Sequence, residues 1–215
     1  THSRRAVRSA GAMWPALVAR GLAVFAALTV CAASGTEPLT TVQQIRELTP
    51  EQAQAGLPVK LKGVITFNSE ALYSRFLQDE TAGIYLLETN LPPLRAGQRI
   101  AVEGVTRPGE YAPVVEANSV NVLGDGTFPA PRRVTAQDLV SGSQDSQFVE
   151  LEGLVRAVQF EEETESYLVD LVAGGERFTA YAAELPAGNP SDLVDSTVIV
   201  RGVCSSLFNR SRQLF

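Results

Sequence analysis

Two aspartates offer the first chance of chemistry in this sequence. Asp79 and Asp170 each precede a glycine by four residues, Gly83 and Gly174, and two carboxylates brought together could divide acid and base roles between them. Their matched spacing places them instead at equivalent hairpin turns, where aspartate is favoured because its carboxylate bonds nearby backbone amides. The acidic run Glu161-Glu162-Glu163 with Glu165 offers oxygens that a hard cation takes. It lacks the alternating Asp/Asn pattern and turn glycine of a calcium loop, so it reads as a solvated hairpin tip. The only histidine, His2, stands ahead of an apolar export-type run, which removes His-based triads, general bases and metal sites from the mature part. There is no glycine-rich phosphate loop, cysteine pair or zinc pattern. The expectation is a chain that is not itself an enzyme and carries no cofactor or metal.

Aromatic and basic residues give a better candidate. Phe67, Tyr73, Arg75, Phe76 and Tyr85 cluster along one stretch, with Arg107 and Tyr111 further on. Phe67 and Phe76 are expected to fill the core. Tyr73, Arg75, Arg107 and Tyr111 are the candidate ligand-binding residues, because rings that stack and guanidinium groups that bind polar groups suit the ligand face of a small β-barrel. The alternative is that they are ordinary surface positions. The second half offers Phe160, Tyr167 and Tyr181, with less basic support.

The elements that must position these residues are written twice. Val59-Lys60-Leu61-Lys62-Gly63-Val64 recurs as Val149-Glu150-Leu151-Glu152-Gly153-Leu154, and Ile100-Ala101-Val102-Glu103-Gly104-Val105 recurs as Val198-Ile199-Val200-Arg201-Gly202-Val203. Ahead of each copy stands a helix. Val42, Ile45 and Leu48 share a face within 41–55, and Thr49-Pro50 restarts that helix with a cap and a proline. Val134 to Leu139 repeats the prelude. Alternating apolar residues predict strands over 59–67, 72–78, 84–88, 98–106 and 114–122, then over 148–160, 167–171, 177–182 and 196–204. Gly63 in mid-strand marks a bend or bulge. Five short strands with a bent first strand outline an OB-type barrel. The expected fold is therefore mainly β: two tandem OB-like five-stranded barrels, each preceded by a short helix, after an N-terminal signal or anchor helix. The expected domains are 1–35, 36–126 and 127–215, the last lacking its closing strand because only Arg212-Gln213-Leu214-Phe215 follows, so the sequence reads as truncated there.

The N-terminus has the layout of an export signal, with basic residues, an uncharged apolar run from Gly21 to Ala33, and small residues at Cys31-Ala32-Ala33-Ser34. Leu28-Thr29-Val30-Cys31 carries the leucine of a lipidation site but a valine where a small residue is usual. Net charge is −6 over 215 residues, and once Arg4, Arg5, Arg8 and Arg20 are taken from the 18 basic residues, positions 36 onward hold 14 against 24 acidic, a balance of −10. Such a surface disfavours binding to phosphate backbones. Cys204 is the one cysteine beyond the signal, expected as a small buried hydrophobe on a strand, and no disulfide framework is expected.

Several segments resemble the extracytoplasmic region of large bacterial membrane-bound sensor histidine kinases. They are Leu57 to Val64, Phe76-Leu77-Gln78-Asp79-Glu80-Thr81-Ala82-Gly83-Ile84-Tyr85, Val102 to Val105 with Pro108 to Val114, and Phe148 to Gly153. The likeness spans about Pro38 to Phe215. It implies a further strand, a transmembrane helix and a cytoplasmic dimerising kinase region outside this sequence, so that any kinase activity and any homodimer belong to the larger protein. The expectation is a periplasmic, membrane-tethered sensing region for a small molecule or protein partner. The alternative is a free periplasmic binding or adaptor protein; binding of single-stranded nucleic acid follows from the fold alone and runs against the charge.

Overall fold

The structure is a computed structural model and describes residues 36–87, 92–186 and 188–206. The expected signal segment 1–35, with His2 and Cys31, and the terminal Arg212–Phe215 lie outside the described residues. Among the described residues no helix is long and apolar enough to cross a membrane.

Helices open the described chain, and both begin on threonine. In α1 (Val42–Arg46) and α2 (Pro50–Gln54), Thr41 and Thr49 cap the first turn and a glutamine three residues on returns the bond, a capping box each time. The single restarted helix expected over 41–55 is thus two separate helices of five residues. The hairpin turn supplies α1 with further acceptors. Asp79 Oδ2 accepts from Val42 N at 2.8 Å and Thr81 Oγ1 from Gln43 N at 3.0 Å, two donors that have no partner within the helix. Asp79 Oδ1 also accepts from Thr81 N and Ala82 N, confirming it as the turn residue.

Five strands follow: β1 (Pro58–Ser69), β2 (Ser74–Gln78), β3 (Gly83–Leu87), β4 (Gln98–Arg107) and β5 (Val114–Asp125). They close into a barrel in the order β1-β2-β3-β5-β4, the OB-type arrangement, with β3 and β5 parallel and the other pairs antiparallel. Its core is aliphatic: Ile45 from α1, Leu61 and Ile65 from β1, Leu77, Ile84 and Ile100 are all at 1% exposure or less. The first strand bends at a bulge between Ile65 and Phe67, two residues past Gly63. Gly63 is needed for close approach, because a Cβ there would lie 2.6 Å from the Gln78 carbonyl oxygen.

The second half repeats the plan with an open sheet. Two-residue β6 (Arg132–Arg133) and α3 (Ala136–Val140) lead into β7 (Phe148–Glu161), β8 (Ser166–Ala173), β9 (Glu176–Ala182) and β10 (Thr197–Val203), after a 3₁₀ turn at Pro190–Leu193. The order is β10-β7-β8-β9, with β6 parallel to the start of β7. Among the described residues the sheet is open, because no strand stands between β9 and β10 where β5 stands in the first half. Val198 and Val200 are accordingly only half-buried, whereas their counterparts Ile100 and Val102 are covered.

Two expectations about single residues need correcting. Asp170 is not a turn residue: it sits in the middle of β8 opposite Thr179, whose hydroxyl donates to Oδ1 at 2.8 Å, and the turn falls at Gly174-Gly175. Cys204 lies one residue past β10 and is only partly buried, with its N–H bonded to the Gln147 carbonyl and its carbonyl to Ser146 N. Burial, helped by nearby Asp145, pushes its thiol up to about 11. The folded chain therefore holds a proton that the unfolded chain gives up at lower pH. That contribution is fully present below the ordinary thiol value and is lost as pH rises through about 11. The urea midpoint of the wild type is expected to fall more steeply over this alkaline window than that of Cys204→Ser; parallel curves would refute it.

Both halves belong to one compact unit from residue 36 onward. The joint between them includes a polar cluster. The Gln147 side-chain amide pairs with both backbone groups of Gly83, receiving from its N at 3.1 Å and donating to its O at 3.4 Å. Gln78, opposite Gly83 across the hairpin, accepts from Phe148 N at 2.9 Å. Arg46 donates to Gly83 O at 3.3 Å and faces Asp145 at 3.8 Å.

Candidate functional site

The β2–β3 hairpin that carries this joint at one end carries a cleft at the other. It is lined by Ser69, Glu70, Tyr73, Arg75, Tyr85, Leu86 and Leu87 and has a volume of about 380 Å³. A tight turn over Glu70–Tyr73 forms one wall, with Tyr73 N donating to Glu70 O at 3.1 Å and Leu72 N to Ser69 Oγ at 3.2 Å.

Tyr73 leaves this turn at φ +49°, left-handed backbone that a bulky residue rarely adopts. The conformation is held from across the hairpin, where the Tyr85 hydroxyl donates to the Tyr73 carbonyl. Burial raises the Tyr85 hydroxyl above its ordinary value and Arg75 pulls it partly back, so the group stays a donor. As a result the Tyr73 ring stands 86% exposed beside the cleft. Tyr85 is itself fixed edge-on against Phe76 at 5.3 Å, and Phe76 leans on Phe67 at 6.4 Å. Phe76 is buried as expected, while Phe67 is only half-buried. Arg75 donates through Nε to Asn68 Oδ1, and Asn68 in turn donates to Leu94 O at 2.8 Å, which anchors the guanidinium to the wall of the barrel.

Of the four residues expected to form a site, the structure brings Tyr73 and Arg75 together and places the other two elsewhere. Arg107 ends β4 and pairs with Glu116 at 2.5 Å. Tyr111 does lie in the β4–β5 loop, but its hydroxyl comes up against Gly142 just beyond α3. The reason is the parallel pairing of β5 with β3, Leu86 beside Val115, which sets the preceding loop toward the Gly83 end of the hairpin, away from the Ser69–Tyr73 turn. Ser69, Glu70 and Leu87 were not singled out from the sequence. Tyr85 was legible as Tyr73's partner only once the Phe76–Tyr85 register was known. In the second half Phe160 packs edge-on with Tyr167 at 5.0 Å, and Tyr181 is exposed on β9. No group of three or more His, Cys, Asp or Glu that could hold a metal ion occurs among the described residues.

Fold and cleft together define a mainly β protein with an OB-like barrel and a small, mixed-polarity cleft on its β2–β3 hairpin. No family model matches the chain. Over 125 residues, 53% of its length, it is 28% identical to Endonuclease YhcR of Bacillus subtilis (strain 168), and that stretch is 10% of the endonuclease. Among solved structures it is similar to asparaginyl-tRNA synthetase from Pyrococcus horikoshii, with TM-score 0.34, 21% identity, 45% of this chain and 25% of that one. The same enzyme complexed with asparaginyl-adenylate gives TM-score 0.34 and 22% identity over 44% and 24% of the two chains.

Proposed function

We propose that this chain is a non-catalytic ligand-binding region of an exported, membrane-tethered signalling protein whose kinase lies outside the sequence. The observation that carries the binding role is the outward Tyr73 ring, held in an uncommon backbone conformation beside Arg75 and Tyr85. A residue kept in a sparsely populated conformation by its neighbours is a recurrent mark of a functional position. The non-catalytic reading rests on the sequence, whose sole histidine precedes the apolar N-terminal run. The signalling role rests on the resemblance of the barrel segments and on the hairpin itself. A ligand at Tyr73 touches the same two strands that grip Gln147 and Phe148 in the second half, so binding and inter-half packing share one element.

We read the second sheet as the same barrel. Pro58 opposite Val105 and Phe148 opposite Val203 start the same register, and the bulge between Ile65 and Phe67 recurs between Val155 and Ala157. Gly104 is hemmed in by β5, 2.2 Å from Glu116 O to a Cβ, whereas Gly202 has open space at the equivalent point.

A second reading is favoured by the likeness to an endonuclease: an accessory binding region in a larger nucleic-acid enzyme. The reading frame beyond Phe215 separates the two. An apolar span followed by a histidine-kinase core is the expected result, and a nuclease domain in its place overturns the signalling assignment.

A further inference from the structure

The cleft's own chemistry narrows its ligand, given the binding role proposed above. We propose that it takes a neutral sugar unit of a glycan, with one pyranose ring laid on Tyr73. Two features of the cleft lead there.

The first is charge. Arg75 and Glu70 line the same small space, so the cleft presents one cation and one anion, and Arg75 Nε is already engaged by Asn68. A phosphate or carboxylate ligand would meet Glu70 at close range, within a surface whose balance is −10. The second is shape. Tyr73 offers an exposed ring face, while the Tyr85 hydroxyl has its proton committed to the Tyr73 carbonyl and can only accept from a ligand. An aromatic face beside planar polar groups suits a molecule with one apolar C–H face and a rim of hydroxyls. The guanidinium, the Glu70 carboxylate and the Ser69 hydroxyl supply donors and acceptors for that rim.

The test uses the full chain, labelled for amide NMR and titrated separately with chitotetraose, cellotetraose and maltotetraose, and with hexathymidylate as the charged stacking competitor. At least one sugar is expected to move the signals of residues 69–75 and Tyr85, leave Tyr111 unmoved, and show an affinity indifferent to added salt. Tyr73→Ala is expected to weaken that binding at least about tenfold, whereas Tyr73→Phe keeps it, because the ring face and backbone carbonyl both survive. Since the Tyr73 ring is 86% exposed, the Ala variant should keep the wild-type amide spectrum away from the turn, which separates loss of binding from loss of fold. If hexathymidylate shifts these residues and no sugar does, the cleft stands and the sugar assignment falls. If none of the four probes moves them, the binding role itself falls.

Discussion

Gly83→Ala is expected to pull the two halves of the molecule apart. A Cβ on Gly83 would lie 1.9 Å from the Ser146 carbonyl oxygen and 2.8 Å from its carbon, both backbone atoms that no rotamer change can move aside. The chain must therefore shift the β2–β3 hairpin, and with it the two Gln147 bonds, the Arg46 bond and the Gln78–Phe148 bond. Overpacking of this kind costs about 1–3 kcal/mol, and the exposed ends of a broken polar joint add about 1 kcal/mol more. Urea unfolding followed by amide NMR should show the second sheet melting before the first barrel in the variant, where the wild type loses both together. Gln147→Ala removes two bonds that Gly83→Ala already disrupts, so the double variant should be less destabilised than the sum of the two single variants. Full additivity, or an unchanged midpoint for Gly83→Ala, would show that the joint does not couple the halves.

The repeat was legible because its apolar residues alternate at strand period and its glycines recur in register. The structure sharpens it to paired positions. Lys60 faces Glu103 at 2.9 Å in the first half, and at the matching positions Glu150 faces Arg201 at 2.8 Å, the same bridge with its charges exchanged. The Lys60–Glu103 pair is exposed on both sides and contributes little, but the exchange shows that the register is shared. Spacing alone misled at Asp170. Val64 stands opposite Gln78 and Leu154 opposite Val172, so the position matching Asp79 is Ala173, and the shared four-residue interval to a glycine was coincidence. The site was half-legible for a related reason. Tyr73 and Arg75 lie near each other in sequence, whereas excluding Arg107 and Tyr111 required knowing which end of β3 meets β5. The joint left no local trace, since Gln147 and Gly83 are 64 residues apart and glutamine is unremarkable at the start of a strand.

Thr106→Val should cost the first barrel about 1–3 kcal/mol, although it keeps the side chain's volume and removes one hydroxyl. Thr106 is fully buried; its Oγ1 donates to Ala53 O at 2.8 Å and accepts from Leu57 N at 3.0 Å. One hydroxyl thus satisfies the end of α2 and the start of β1 together. Valine would leave the half-buried Leu57 N–H without its partner and take one donor from the Ala53 carbonyl, which keeps only the longer bond from Gly56 N at 3.3 Å. The repeat explains why this burden falls on the first half. Thr106 N donates to Leu57 O as Cys204 N does to Gln147 O, and Gly56 and Ser146, the residues before those acceptors, both have positive φ. Position 106 therefore corresponds to 204, where no helix like α2 stands ahead of the strand and a thiol suffices. Thr106→Ser retains the hydroxyl and should recover most of the loss. Chemical denaturation of the three proteins measures the difference, and a Thr106→Val chain as stable as Thr106→Ser would mean that α2 is held by Ala53 packing alone.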